Sequence, residues 1–156
     1  MFSRVLRFVR LALVLILVWA AARFAVGLSG MPYAPRGNAM FSIVGLMFIS
    51  CLYFGAMSKR VGGFGWLGTL LCGVTIGLWA QILIFTLTLV SLSAGLNTYF
   101  VHWDALNIPE GTQATMGEAM KARAGGLLFG SVFGGIAALI GRAVFGLLSP
   151  RCGHDE

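Results

Sequence analysis

Charge is what this sequence has least of: only 10% of its residues are charged, and five of its 156 residues are acidic. A soluble domain carries about 25% charged residues, so a water-exposed fold is excluded. With 58% hydrophobic residues and a mean hydropathy of +0.90, the chain reads as an integral membrane protein. Three cysteines and two histidines are too few, and too scattered, for a disulfide framework or a complete zinc set. No nucleotide, cofactor or nucleophile motif occurs, so no metal, no cofactor and no enzymatic activity are expected. The eleven basic residues do not point to nucleic acid, because most of them flank apolar segments. In that position they act as topology signals and lipid-headgroup contacts.

Long apolar runs are what the sequence does have. Crossing a bilayer takes about 20 apolar residues, and four segments are expected to reach that length: approximately 5–28, 38–57, 64–94 and 116–148. The expected fold class is an all-α integral membrane protein, a single membrane domain over residues 1–156 with four transmembrane helices in two hairpins. Arg4, Arg7 and Arg10 precede the first apolar run and hold the amino terminus in the cytoplasm. That layout, with Ala20, Ala21 and Ala22 behind a short apolar core, also resembles a cleavable signal; a retained helix continuing to Leu28 is the expectation here. Residues 29–37 form an outer loop, and Asn38 is the expected N-cap of the second helix. Ser58 to Gly63 carries Lys59 and Arg60 and is expected to be a cytoplasmic turn. With both termini inside, seven basic residues fall inside and four outside, namely Arg23, Arg36, Lys121 and Arg123. Arginine outnumbers lysine nine to two, a bias expected of a GC-rich genome, and the location expected is the bacterial inner membrane.

Small residues recur every fourth position in two of these segments. Gly126, Gly130, Gly134 and Ala138 form one row; Thr69, Gly73, Gly77 and Gln81 form the other. Lipid offers little hydrophobic drive for helix association, so close van der Waals packing through small residues takes over. The third and fourth helices are therefore expected to pack as a glycine zipper, within the chain rather than between chains. Gln81 lies near mid-membrane, where its amide is expected to act as polar glue between helices. Arg142 is expected to reach the cytoplasmic interface. Cys51 and Cys72 sit at similar depth and are expected to behave as small hydrophobes.

The outer loop, residues 95–114, is the one substantial extramembrane segment. Its aromatic residues read as an interface belt, and Tyr99, His102, Trp103, Asp104 and Glu110 are the candidates for a partner or ligand contact. His102 and Asp104 complete no metal-ligand set. Thr115 and Glu118 match a capping box that starts the fourth helix outside the apolar segment. The function expected is that of a non-catalytic polytopic protein, an accessory or structural subunit of a membrane complex or a self-associating scaffold. The alternative is a small transporter or oligomeric channel with a path lined by polar residues of the third helix; against it stands the lack of a mid-membrane acid, histidine or arginine. The expected partners are the lipid bilayer and other membrane protein chains or further copies of itself.

Overall fold

In lipid every backbone N–H and C=O must be satisfied inside the protein, which leaves helices as the natural form for isolated apolar runs. The computed structural model describes residues 1–31, 42–110 and 115–148, with side chains as far as Phe145. The described residues form α1 (Phe2–Leu28), α2 (Ile43–Met57), α3 (Trp66–Ser93), the single turn α4 (Trp103–Leu106) and α5 (Met116–Leu148). Helices α1, α3 and α5 are long and apolar enough to cross a membrane. At 27, 28 and 33 residues they run about 40 to 50 Å. Such helices mark a multi-pass membrane protein.

The second segment departs from expectation. Helix α2 has 15 residues, about 22 Å, which is short of a bilayer core of about 30 Å. It starts late because Ser42 has extended backbone angles and its hydroxyl accepts the Gly45 amide, an N-cap four residues beyond the one expected at Asn38. Asn38 itself lies outside the described residues, as do Arg36, Arg151 and Cys152.

Helices α1, α2, α3 and α5 alternate in direction along the chain. One end of the bundle, the turn end, holds the start of α1, the α2–α3 connection and the end of α5. The other, the loop end, holds the end of α1, the start of α2, the 94–110 segment and the start of α5. Helix α3 runs through the centre and packs on α1, α2 and α5; α2 also lies against α5. On α1 the buried residues Val5, Val9, Ala12, Ile16 and Ala20 recur at helical spacing and face α2 and α3. Trp79 of α3 reaches across to donate its indole N–H to the Leu13 carbonyl at 3.0 Å.

Helix α5 turns the usual amphipathic pattern inside out. Gly130, Gly134, Ala137, Ala138 and Gly141 are buried, while Leu128, at 73% exposure, and Phe129, Val132, Phe133 and Ile140 point outward. Small residues inside and large ones outside are what lipid solvation favours. The α3–α5 contact is backbone against backbone. A Cβ at Gly73 would overlap the Gly134 carbonyl, and one at Gly77 would overlap the Gly130 carbonyl. In the antiparallel register, Gln81 lies over Gly126 and Gly130, and Thr69 meets α5 at Arg142. Helix α2 closes on the opposite side of the same stretch: a Cβ at Gly55 would collide with the Ala138 backbone, and one at Gly141 with the Leu52 carbonyl. Ala138, fully buried, is thus wedged between Gly55 and Gly73.

Substituting either seam should be far more damaging than trimming the outer face. Gly134→Leu and Gly55→Leu are each expected to cost at least about 1–3 kcal/mol, the range for overpacking. Leu128→Ala should stay within about 0.5 kcal/mol. Thermal unfolding in mild detergent reads the difference, and equal midpoints for the three variants would show that the backbone contacts do not hold the bundle.

Candidate functional site

Polar side chains gather at the two ends of the bundle. At the turn end, Arg142 of α5 folds onto the start of α3. Its Nη1 donates to the Phe64 carbonyl at 2.8 Å and to Thr69 Oγ1 at 2.7 Å, and its guanidinium lies 4.6 Å from the Trp66 ring centre. Thr69 and Ser58 hydroxyls are 2.7 Å apart, and Ser58 is 2.7 Å from the Gly55 carbonyl. Arginine is a donor only, so the shortest contacts fix one direction along the chain: Arg142 to Thr69, Thr69 to Ser58, Ser58 to Gly55. Three helices are joined by this buried relay, and Thr69 and Ser58 have no solvent exposure. Thr69 was expected only as a small packing residue; its hydroxyl is the hub. At the turn end the Arg142 guanidinium is satisfied by a carbonyl, a hydroxyl and an indole face.

At the loop end the 94–101 segment folds back onto the bundle. Gly27 permits this: a Cβ there would stand 2.9 Å from the Tyr99 nitrogen. Thr98 bonds Ser91 of α3 at 2.7 Å, and Tyr99 donates its hydroxyl to the Met31 carbonyl at 2.9 Å. Arg123 of α5 donates Nε to Thr88 Oγ1 at 3.0 Å and Nη2 to the Phe100 carbonyl at 2.9 Å. Arg23 of α1 stacks on the same segment, 5.6 Å from the Tyr99 ring centre and 6.0 Å from that of Phe100. Tyr99 and Phe100, expected to belong to an aromatic belt, are buried against the bundle. Between these groups lies a cavity of about 170 Å³ whose lining includes Arg23, Arg123, Tyr99, Phe100, Ser42 and Ile43.

The other loop candidates are spread out. His102 caps α4, its Nδ1 accepting the Asp104 amide at 3.3 Å, and its ring lies 5.3 Å from that of Trp103. Asn107 ends that turn with φ 55, a left-handed conformation asparagine tolerates. Glu110 is exposed. Among the described residues no group of three or more His, Cys, Asp or Glu converges on a point. The capping box is present as expected: Thr115 donates its N–H to Glu118 Oε2 at 3.1 Å, and Thr115 Oγ1 accepts the Glu118 amide at 3.3 Å.

In the interior, Gln81 packs its side chain on Gly126 and Gly130, yet among the described residues no hydrogen bond engages its amide. Its side chain fills the seam between α3 and α5. Cys51 and Cys72 are buried, with Cys51 Sγ 3.7 Å from the Gly73 carbonyl. The α2 contacts, through Gly55, Ser58 and Leu52, escaped sequence reading. Helix α2 has Gly45 and Gly55 ten residues apart where α3 and α5 have rows at every fourth position, so spacing gave no signal.

The relay at the turn end makes a clean comparison of two threonines on one helix. Thr69→Val removes the acceptor of Arg142 and the donor to Ser58 and should cost about 1–3 kcal/mol. Thr75→Val removes only a bond to its own helix carbonyl, Leu71, and should be close to neutral. Unfolding midpoints in detergent decide it; equal losses would reduce Thr69 to a packing residue.

No protein-family model, curated protein or solved structure matches this chain, and its function is argued from its own geometry.

Proposed function

We propose that the chain is a non-catalytic polytopic protein of the bacterial inner membrane, a small accessory or structural subunit of a membrane complex or a self-associating scaffold. The reading includes four membrane-embedded helices with both termini cytoplasmic, and a glycine zipper of α3 and α5 as the internal seam. In it α2, too short alone, completes its crossing with flanking residues and local thinning of the bilayer.

One observation carries the reading: the division of α5 into two faces. Its small residues are consumed inside the chain by α2 and α3, which leaves a stripe of large apolar side chains outside. On that stripe Phe129 and Phe133 stack with ring centres 6.0 Å apart. Such a face fits lipid or a neighbouring apolar helix and offers no chemistry. A transport path along α3 is less well supported. Thr75, Thr88 and Ser91 each donate to the carbonyl four residues back, at 2.7 Å, so these hydroxyls are committed to their own helix.

Gentle extraction followed by native mass measurement tests this function. A stoichiometric partner chain is expected for an accessory subunit and a homogeneous homo-oligomer for a scaffold, with Phe129→Ala/Phe133→Ala weakening either assembly. A monomer that conducts ions or solutes in proteoliposomes would overturn the proposal. Topology has its own check, in a Cys152→Ser background: an impermeant thiol reagent should label Glu110→Cys in intact cells and leave Lys59→Cys unlabelled. The reverse pattern would invert the orientation.

A further inference from the structure

Where α2 meets α5 towards the turn end, the outer surface of the bundle is cut by a groove of about 440 Å³. Ile49, Leu52, Tyr53 and Ala56 of α2 form one side, and Val144 and Phe145 of α5 form the other. The floor is backbone. Gly141, which also lines the groove, stands against the Leu52 carbonyl, and one turn away Gly55 stands against the Ala138 backbone. The two helices touch along this floor, so the groove is only as wide as the side chains flanking it allow. Every described side chain that borders it is apolar except for the Tyr53 hydroxyl. The Tyr53 ring is held edge-on by Phe54, with ring centres 5.4 Å apart.

The end of the groove nearest the turn is marked by charge. The Arg60 guanidinium lies 4.9 Å from the centre of the Phe145 ring, one wall of the groove. Lys59 precedes it in the turn that follows α2, and both cations are exposed. An apolar channel that opens beside two basic residues at the end of a helix has the polarity of a lipid molecule.

The shape of the groove separates the occupants it could take. Water in so apolar a space would lack the polar partners it needs. A void would forfeit the dispersion contacts along both walls. From Ile49 to Ala56 the groove runs about 10 Å along α2, and a helix about 10 Å across would displace about twice the available volume over that length. A partner helix would therefore rest on the rim and leave the floor unfilled. The last eight residues of the chain, Ser149 to Glu156, include no large apolar residue and match the lining poorly. An acyl chain is slender, flexible and wholly apolar, and its headgroup lies at the depth of helix ends. A negative headgroup there complements Lys59 and Arg60.

We infer that the α2–α5 groove binds one acyl chain of an anionic phospholipid, with the headgroup beside Lys59 and Arg60. The inference rests on the membrane-embedded placement of α2 proposed above, and it holds whether or not the chain assembles with partners.

The test uses the full chain, delipidated in a sugar detergent and titrated with phosphatidylglycerol or with phosphatidylcholine of the same acyl chains. Native mass spectrometry counts the adducts per chain and reports the oligomeric state in the same spectrum, so the assembly reading is scored separately. Wild type is expected to take up one phosphatidylglycerol per chain saturably, and phosphatidylcholine about tenfold more weakly. Ala56→Phe puts a ring into the groove and should weaken the phosphatidylglycerol adduct by at least about tenfold. Val132→Phe makes a like change on the exposed face of α5 away from the groove and should alter uptake by no more than about twofold. Should Ala56→Phe fail to fold, Lys59→Gln/Arg60→Gln leaves the groove intact and must still bring phosphatidylglycerol down towards phosphatidylcholine. A chain ending at Leu148 should bind as the full chain does. Uptake that appears only after that truncation, or only after a copurifying chain is stripped away, would give the groove to the tail or to that partner and overturn the inference. Equal uptake of the two lipids, or equal losses in Ala56→Phe and Val132→Phe, would overturn it as well.

Discussion

The fold depends on backbones touching. Where α3 and α5 cross, Gly73 and Gly77 stand against Gly134 and Gly130 with no room for a β-carbon. Contact at this range gathers many weak dispersion terms, and in lipid those terms are not supplemented by a hydrophobic drive between helices. Everything else in the bundle is placed by that approach. It buries Ala138, and Ala138 in turn offers the backbone on which Gly55 of α2 can close. Helix α1 completes the bundle against the far side of α3 with larger residues, Val9 and Ile16 among them, in an ordinary side-chain interface. Loss of one glycine in the seam thus displaces two neighbours, not one.

Much of this was legible in the sequence because the signals were local and periodic. The bounds of α5, its capping box and the two rows of small residues follow from spacing alone. That α3 and α5 would meet along those rows was expected from spacing; which glycine stands against which, Gly73 on Gly134 and Gly77 on Gly130, is seen in the structure alone. The signals that failed were those requiring knowledge of a third partner. Ser42 and Asn38 are both acceptable N-caps, and only the local hydrogen bond to Gly45 selects Ser42. Gly55 belongs to no row of small residues at fourth positions, and its role appears once α5 lies across it. Tyr99 and Phe100 look like interface aromatics until Gly27 lets their segment pass over α1. Gln81 was read for its amide, while its packing against Gly126 and Gly130 depends on the α3–α5 register.

The arginines were the least legible of all, and the reason is compositional. A membrane protein usually tolerates a half-buried cation by pairing it with a carboxylate. This chain reaches residue 104 before its first acid. Its arginines are therefore accommodated by carbonyl oxygens and aromatic faces: Arg4 on the Gly62 carbonyl and the Phe64 ring, Arg60 over Phe145, Arg142 on the Phe64 carbonyl and Trp66, Arg123 on Phe100. Those partners are scattered through the sequence with no spacing rule, and so spacing could not reveal them. Accommodation by neutral groups also has an electrostatic result that ion pairing would lack. A carbonyl oxygen or a ring face directs the guanidinium without adding a charge of its own. A bundle held together internally by close glycine contacts thus receives its arginines at both ends on its own carbonyls and rings, contacts that no regular spacing in the sequence announces.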